Sequence, residues 1–554
     1  MPHSTMNGSA KTLDATEDHE DLNQYLPSAE GSSIIPPEHY NRTLVLCFDG
    51  TGDQFDRDNS SIVEFFSLLK KDDRQKQMVY YQAGIGTYTS RELITPLMNN
   101  ISKTLDMGVA WNLHSHVMDG YEFLMQNYSE GDRICIFGFS RGAYTARCLA
   151  GMIHKVGILP ACNHQQVPFA YKMYSDPEFS KHDAQAFKHA FSTDVDIEFL
   201  GVWDTVDSVG LIPRHLPFTA DNHIVRTFRH AVALDERRAK FKANMCHREE
   251  GEIQPEAHCH DDHPTGDDAE STGTKPKGLK KALKRTNSVD PKLAAKALKQ
   301  KYSKVRDRMT NIQEVWFAGC HCDVGGGSVE NNTKYTLARI PLRWMIRECF
   351  RTNSGIMFNV KLLRERLGMD PDALYPEVLE RPKPLPIVPG VSVIQTREEV
   401  ELAKSKPGFF SWLFGYGSKK EEEEEEEEEE NNHHRDRTSS STSTVVDESE
   451  HSETEEQREL ADALSPVYDQ LSISYFWWFL EVIPLLKSTS GSLRTRLGIN
   501  WAHGRRIPEP MPTESVKVHR SVWMRMQAAY KNGRKYKPIA ENWDQLADNV
   551  EWVE

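Results

Sequence analysis

The chain has 554 residues, with 82 Asp and Glu against 67 Lys and Arg and a formal charge of −15. The length would admit several cores, but three polar tracts are too poor in apolar residues to offset their ordering entropy, which leaves one large α/β domain with a C-terminal extension. The acidic balance disfavours a nucleic-acid partner, and the nine cysteines, an odd number without metal-ligand spacing and with no apolar leader, point to a reducing compartment.

Residues 1–40 read as a disordered polar tail, and the domain spans 41–402. Its first strand ends in "TLVLCFDGTGD" (43–53), which fits two chemistries. A metal-dependent phosphatase would carry Asp-x-Asp-Gly-Thr with the first Asp as nucleophile, but that position is Cys47 and only Asp49 remains. A cysteine phosphatase would need an Arg in an anion-binding loop after the thiol, and "CFDGTGDQF" has none. The surviving reading is a loop that helps to form an oxyanion hole, and this requires a nucleophile elsewhere.

"DRICIFGFSRGAYTARCLAGMIHKVGILP" (132–160) supplies one. The apolar run Ile134–Phe137 suits a strand buried on both faces of a parallel sheet. Gly138-Phe139-Ser140-Arg141-Gly142 matches G-x-S-x-G, and Ala143, Ala146, Leu149, Ala150 and Ile153 then recur at helical spacing. Strand, sharp turn and helix are the setting of a nucleophile elbow. Flanking glycines avoid collisions there, and the helix amino terminus aims N–H groups at a developing oxyanion.

An elbow needs an acid and then a His, both at strand carboxyl ends. "DIEFLGVWDTVDSVG" (196–210) is apolar through Trp203 and presents Asp204; "RHAVALDERRAKF" (229–241) ends its apolar run at Asp235. Asp204 is favoured because small residues follow it, whereas Asp235 opens "DERR", where a structural ion pair is the plainer reading. Strand counting alone would choose Asp235. Residues 248–308 form a low-complexity charged insert holding "HCHDDH" (258–263), read as adventitious metal-capable side chains, and a basic block at 275–308. "EVWFAGCHCDVGGG" (314–327) then places His321 just past a strand, with Asp323 a further carboxylate in reach.

Residues 403–465, including ten consecutive Glu at 421–430, read as a disordered acidic linker, and 466–554 as a helical extension packed on the catalytic domain. "PGFFSWLFGYG" (407–417) has the composition of a membrane-surface contact. "ISYFWWFLEVIPLL" (473–486), interrupted by Glu481 and Pro484, is too short to span a bilayer.

Taken together, "FDGTGD", "YYQAGIGT", "GFSRGAYTAR", "GVWDTVDSVG", "HAVALDERR", "WFAGCHCDVGGG" and "LRWMIRE", in this order, resemble the phospholipase-like α/β-hydrolase domain of type VI secretion lipase effectors, over residues 42 to 350. The resemblance implies an α/β-hydrolase-like fold: a mostly parallel sheet flanked by helices, here with disordered charged insertions. It implies a Ser-Asp-His esterase acting on glycerophospholipids, with Ser140 as nucleophile, His321 as base and Asp204 as acid. Gly50 or Thr51 would offer one oxyanion N–H and Arg141 the other, while Asp49 would fix the loop by hydrogen bonds. No metal or organic cofactor is implied. The expected partner is a lipid or other ester substrate, with peripheral membrane contact and a cytoplasmic location. The opposing expectation is a catalytically inactive hydrolase-fold scaffold whose tails carry the function.

Overall fold

The computed structural model describes residues 32–38, 41–85, 101–176, 179–206, 216, 222–246, 310–404, 453–473, 476–482, 485–489, 492–509 and 515–554. The insert, the poly-Glu tract, "HCHDDH", the basic block and the aromatic stretch 407–417 lie outside the described residues.

The strands of the main sheet are β1 (Thr43–Phe48), β2 (Gln77–Gln82), β3 (Arg133–Phe139), β4 (Ile197–Trp203), β5 (Val225–Ala233), β6 (Asn311–Phe317), β7 (Val516–His519) and β8 (Val550–Val553). They form one eight-stranded sheet in the order β8-β7-β6-β5-β4-β3-β1-β2. Every adjacent pair in it runs parallel. The order reverses between β1 and β3, and in an open α/β sheet such a switch point leaves a crevice outside the strand carboxyl ends. The elbow and the "DGTGD" loop meet there.

Strand alternation supplies both faces of the core. Leu44, Leu46 and Phe48 of β1 and Ile134 and Ile136 of β3 pack with Val117, Tyr121, Leu149 and Ile153 of helices α2 (Ile101–Asn127) and α3 (Ser140–Val156). Val45, Cys47, Cys135 and Phe137 face the other way, against Phe65 of α1 (Ser61–Leu68) and Trp344 and Met345 from the later helix Arg339–Arg351. Each fully buried side chain of this size contributes roughly 1.5–3 kcal/mol. Cys47 is thus a core residue, and burial pushes its thiol well above its ordinary range. Among the described residues, no helix is long and apolar enough to cross a membrane.

The C-terminal region differs from the helical extension expected of it. Besides the helix Arg520–Gln527 it supplies β7 and β8, which continue the main sheet beyond β6 through the pair Val518 and Trp316. Both strands have only four residues and carry charges ("VKVH", "VEWV"), too short and mixed for a period-two signal to stand out. The expected linker also ends earlier than residue 465. A helix, Glu455–Ala463, starts at a Thr454/Gln457 capping box and pairs with the Arg339–Arg351 helix through Asp462 to Arg343 and Glu455 to Arg347. Its acidic residues read as solvated because their arginine partners lie more than a hundred positions away in sequence.

Candidate active site

Ser140 is the first residue of α3 and has φ 57°, the left-handed region that costs a non-glycine residue strain and that the surrounding packing must hold. The turn is crowded: a Cβ at Gly142 would stand 2.3 Å from the Asp49 carbonyl oxygen and 2.4 Å from that of Phe48. A Cβ at Gly138 would meet the Gly142 carbonyl oxygen at 2.5 Å. Glycine at both positions therefore lets the start of α3 seat against the end of β1. The helix has no side-chain cap, since its N-cap residue is Phe139. Its first turn, Ser140 to Gly142, begins beside the carboxyl end of β1, where the positive end of a helix dipole favours negative charge.

β6 ends at Phe317, the chain bends at Gly319 (φ 106°), and His321 opens the short helix α4 (His321–Gly325). The imidazole lies between the Phe139 and Phe241 rings, with centroids 4.7 and 4.8 Å away. Its Nε2 is 2.8 Å from Ser140 Oγ and its Nδ1 is 2.5 Å from Asp204 Oδ2. Asp204 follows β4 with φ 40°, and all three side chains are buried. Burial lowers the imidazole below its ordinary pKa, against the opposing pull of the Asp204 hydrogen bond. Burial would raise the Asp204 carboxyl, but the Arg505 guanidinium and His321 outweigh it and hold the acid well below the usual carboxylate range.

The other candidate carboxylates do not face the imidazole. Asp235 accepts from the Gly319 N–H (2.7 Å), the Tyr536 hydroxyl (2.7 Å) and the Ile539 N–H (2.9 Å), and burial raises its pKa. The ion pair expected of Asp235 belongs instead to its neighbour Glu236, which binds Arg238 and accepts the backbone N–H of His321 at 3.2 Å. Asp323 takes the Cys320 N–H (2.8 Å) and the Tyr468 N–H (3.0 Å), and burial pushes it to about 7.

Asp49 binds Ser60 Oγ (2.6 Å) and the Tyr81 hydroxyl (2.7 Å), and its Oδ1 also takes the Gly50 N–H (2.8 Å). The Gly50 N–H is thereby engaged within its own loop. Thr51 Oγ1 is buried, with no hydrogen-bond partner among the described residues. Asp53, at the end of the same loop, is pushed up to about 8 by burial and by neighbouring Asp49, Asp56 and Asp58. Among the described residues, no group of three or more His, Cys, Asp or Glu is arranged to hold a metal ion.

Three contributors carried no local sequence signal for the site. Glu236 and Arg238 sit in "DERR", read only as a generic ion pair. Arg505, in "HGRRIPEP", binds Asp204 from 301 positions away, and nothing near it in sequence marks it.

A parallel sheet flanked by helices, with a strained serine at a strand-to-helix turn beside an imidazole and a carboxylate, defines an α/β-class chain. The chain belongs to the family "T6SS, Phospholipase effector Tle1-like, catalytic domain", whose model matches residues 42–348. It is 38% identical over 229 residues to the uncharacterized protein YEL023C of Saccharomyces cerevisiae, a match that covers 38% of this chain and 34% of that curated relative. Among solved structures, it is similar to an uncharacterized protein from Pseudomonas aeruginosa, at 17% identity and TM-score 0.30 over 57% of this chain and 46% of that one. A second is the Tle1 effector bound to the VgrG spike from the Type 6 secretion system, at 15% identity and TM-score 0.25 over 52% and 51% of the two chains. The family's description names a phospholipase effector, and the chain spans about a third of the length of the curated relative it matches.

Proposed function

We propose that the protein is a serine esterase that hydrolyses carboxylic esters of glycerophospholipids through an acyl-enzyme. The observation that carries this reading is the continuous chain from Ser140 Oγ through both ring nitrogens of His321 to Asp204, at 2.8 and 2.5 Å. As Ser140 Oγ attacks the ester carbonyl, its proton passes to His321 Nε2, and Asp204 stabilises the imidazolium. The oxyanion forms against the N–H groups at the start of α3, Arg141 among them, and against Thr51 of the β1 loop. The imidazolium then protonates the leaving alcohol. Water attacks the acyl-enzyme with His321 again as base, and the fatty acid leaves. The lipid substrate is supported by the family description, and the ester chemistry by the site.

The test is covalent labelling of the purified full chain with a fluorophosphonate, followed by hydrolysis of phosphatidylcholine vesicles in EDTA. Labelling that is lost in a folded Ser140→Ala variant, with fatty acid released by the wild type, is the expected result. An unlabelled wild type would favour a non-enzymatic scaffold, and labelling without phospholipid turnover would retain the esterase and reject the lipid.

A further inference from the structure

Asp204 is held from a part of the chain that the family match does not reach. Arg505 lies outside residues 42–348, between the hairpin strands Leu485–Thr489 and Ser492–Gly498 and β7. Its guanidinium grips the carboxylate with both terminal nitrogens: Nη1 donates to Oδ1 at 2.5 Å and Nη2 to Oδ2 at 2.8 Å. The remaining N–H groups are also used. Nη1 donates to the Ala233 carbonyl (3.2 Å), Nη2 to that of Phe241 (2.6 Å), and Nε to the Phe241 carbonyl again (2.9 Å). A guanidinium has five donors in a rigid fork, and here all five have an acceptor. Lysine has three donors on a flexible stem and cannot reproduce this pattern.

This grip has a geometric and an electrostatic consequence. Geometrically, Asp204 Oδ1 takes Arg505 and the Ala233 N–H (2.8 Å), which fixes the carboxylate plane so that Oδ2 meets His321 Nδ1. The Phe241 carbonyl bonded by Arg505 also belongs to the residue whose ring packs on the imidazole, so one side chain sets both the acid and a wall of the base's pocket. Electrostatically, a buried cation on the acid offsets part of the negative charge that would otherwise favour the imidazolium.

We propose that Arg505 is a positioning residue of the acyl-transfer site: it orients Asp204 and compensates its charge, so that His321 rests as the neutral base. The proposal rests on the Ser140–His321–Asp204 reading. It makes the C-terminal segment part of the working site, beyond the domain that the family match delimits.

The charged and titratable groups around His321 are Asp204 after β4, Glu236 and Arg238 after β5, Cys320 and Cys322 on either side of it in sequence, and Arg505 through Asp204. Replacing Arg505 by a neutral residue removes a positive charge from this set. The imidazolium becomes easier to form, so a higher pH is needed to keep His321 neutral, and the acid limb of kcat/KM moves up.

The experiment compares the full-length wild type, Arg505→Gln and Arg505→Lys on a soluble p-nitrophenyl ester across pH, with circular dichroism as the fold control and fluorophosphonate labelling as the site control. For Arg505→Gln the expected result is a kcat loss on the order of 10²-fold from the mis-set acid, an unchanged KM, and an acid limb raised by about one pH unit. For Arg505→Lys the expected result is a reduced kcat with the limb at its wild-type position, because the charge stays while the fork is lost. A folded Gln variant with wild-type kcat, or one whose kcat falls with an unmoved limb as for a purely structural residue, overturns the proposal. If Arg505→Gln does not fold, Arg505→Lys decides: wild-type kcat in it overturns the proposal. A wild-type protein that fluorophosphonate does not label overturns the Ser140 reading and this inference together, before any Arg505 variant is measured.

Discussion

The elbow region, residues 133–156, and the C-terminal segment, residues 453–554, contribute to one site by opposite means. In the elbow, strand β3 and helix α3 are consecutive, and their buried residues, apart from Ser140, Thr145 and Arg147, are apolar and meet neighbours through the regular ladder and the helix–sheet interface. In the C-terminal segment, an apolar cluster that includes Val518, Val522 and Trp543 with Trp316 is joined by buried ionic and polar contacts that reach far back along the chain. Arg505 binds Asp204, Arg520 joins Arg381 on Glu459, Asp462 pairs with Arg343, and Tyr536 bonds Asp235. Buried apolar contacts tolerate small shifts at modest cost, whereas a buried charge deprived of its partner destabilises by about 3–5 kcal/mol. The elbow therefore presents Ser140, and the C-terminal segment holds in register Asp204 and the loop that carries His321. The Asp235 bonds to Gly319, Tyr536 and Ile539 tie that loop to the chain's end.

The largest expected effect tests the elbow. Ser140→Ala should lower ester turnover on the order of 10⁶-fold with an unchanged thermal midpoint, as read by initial rates and circular dichroism. A midpoint well below wild type would make the serine part of the scaffold.

The two strand-end aspartates then separate the regions. Asp204→Asn should lower kcat on the order of 10⁴-fold, because the amide cannot hold the imidazole in the same tautomer. Asp235→Asn should act mainly on stability, since its carboxylate takes three hydrogen bonds but none from the imidazole. The reverse pattern in kcat would exchange their roles.

Glu459→Gln probes the C-terminal ion pairs away from the imidazole. Chemical denaturation should show a loss of about 3–5 kcal/mol at neutral pH, with kcat intact while the variant remains folded. Burial opposes ionisation of Glu459, but Arg381, His519 and Arg520 outweigh it and depress its folded-state pKa. Its contribution is therefore complete above the unfolded value of about 4.3 and disappears as pH falls through the lower folded value. The gap between wild type and variant should close only in acid; a gap that closed on the alkaline side would contradict the assignment.

The smallest expected effect is that of Tyr536→Phe, which removes one donor to Asp235. It should cost about 1–3 kcal/mol in stability and slightly lower kcat through the loosened Gly319 bend. No change in either quantity would mean that this tie between the chain's end and the His321 loop is idle.

Much of this organisation was visible before any tertiary contact was known. Uninterrupted apolar runs at 44–48, 134–137 and 199–203 can only be covered on both faces, which implies a parallel sheet with its functional residues at the carboxyl ends. Gly138 and Gly142 around Ser140 mark a turn too tight for side chains, and this is a local property. Choosing between Asp204 and Asp235 was harder, because both follow parallel strands and emerge on the same edge. The fold turns one toward His321, through a residue at φ 40°, and the other toward Gly319. Hidden altogether were β7 and β8, whose few mixed residues make no pattern until they pair beside β6, and the burial of Glu459 and Asp462, which resemble the neighbouring acidic tract in composition. Arg505 is the clearest instance. Apolar burial leaves a periodic trace in a short window because each element must present a face, but an ion pair is one residue against one residue, and only the folded chain specifies which carboxylate a given arginine meets.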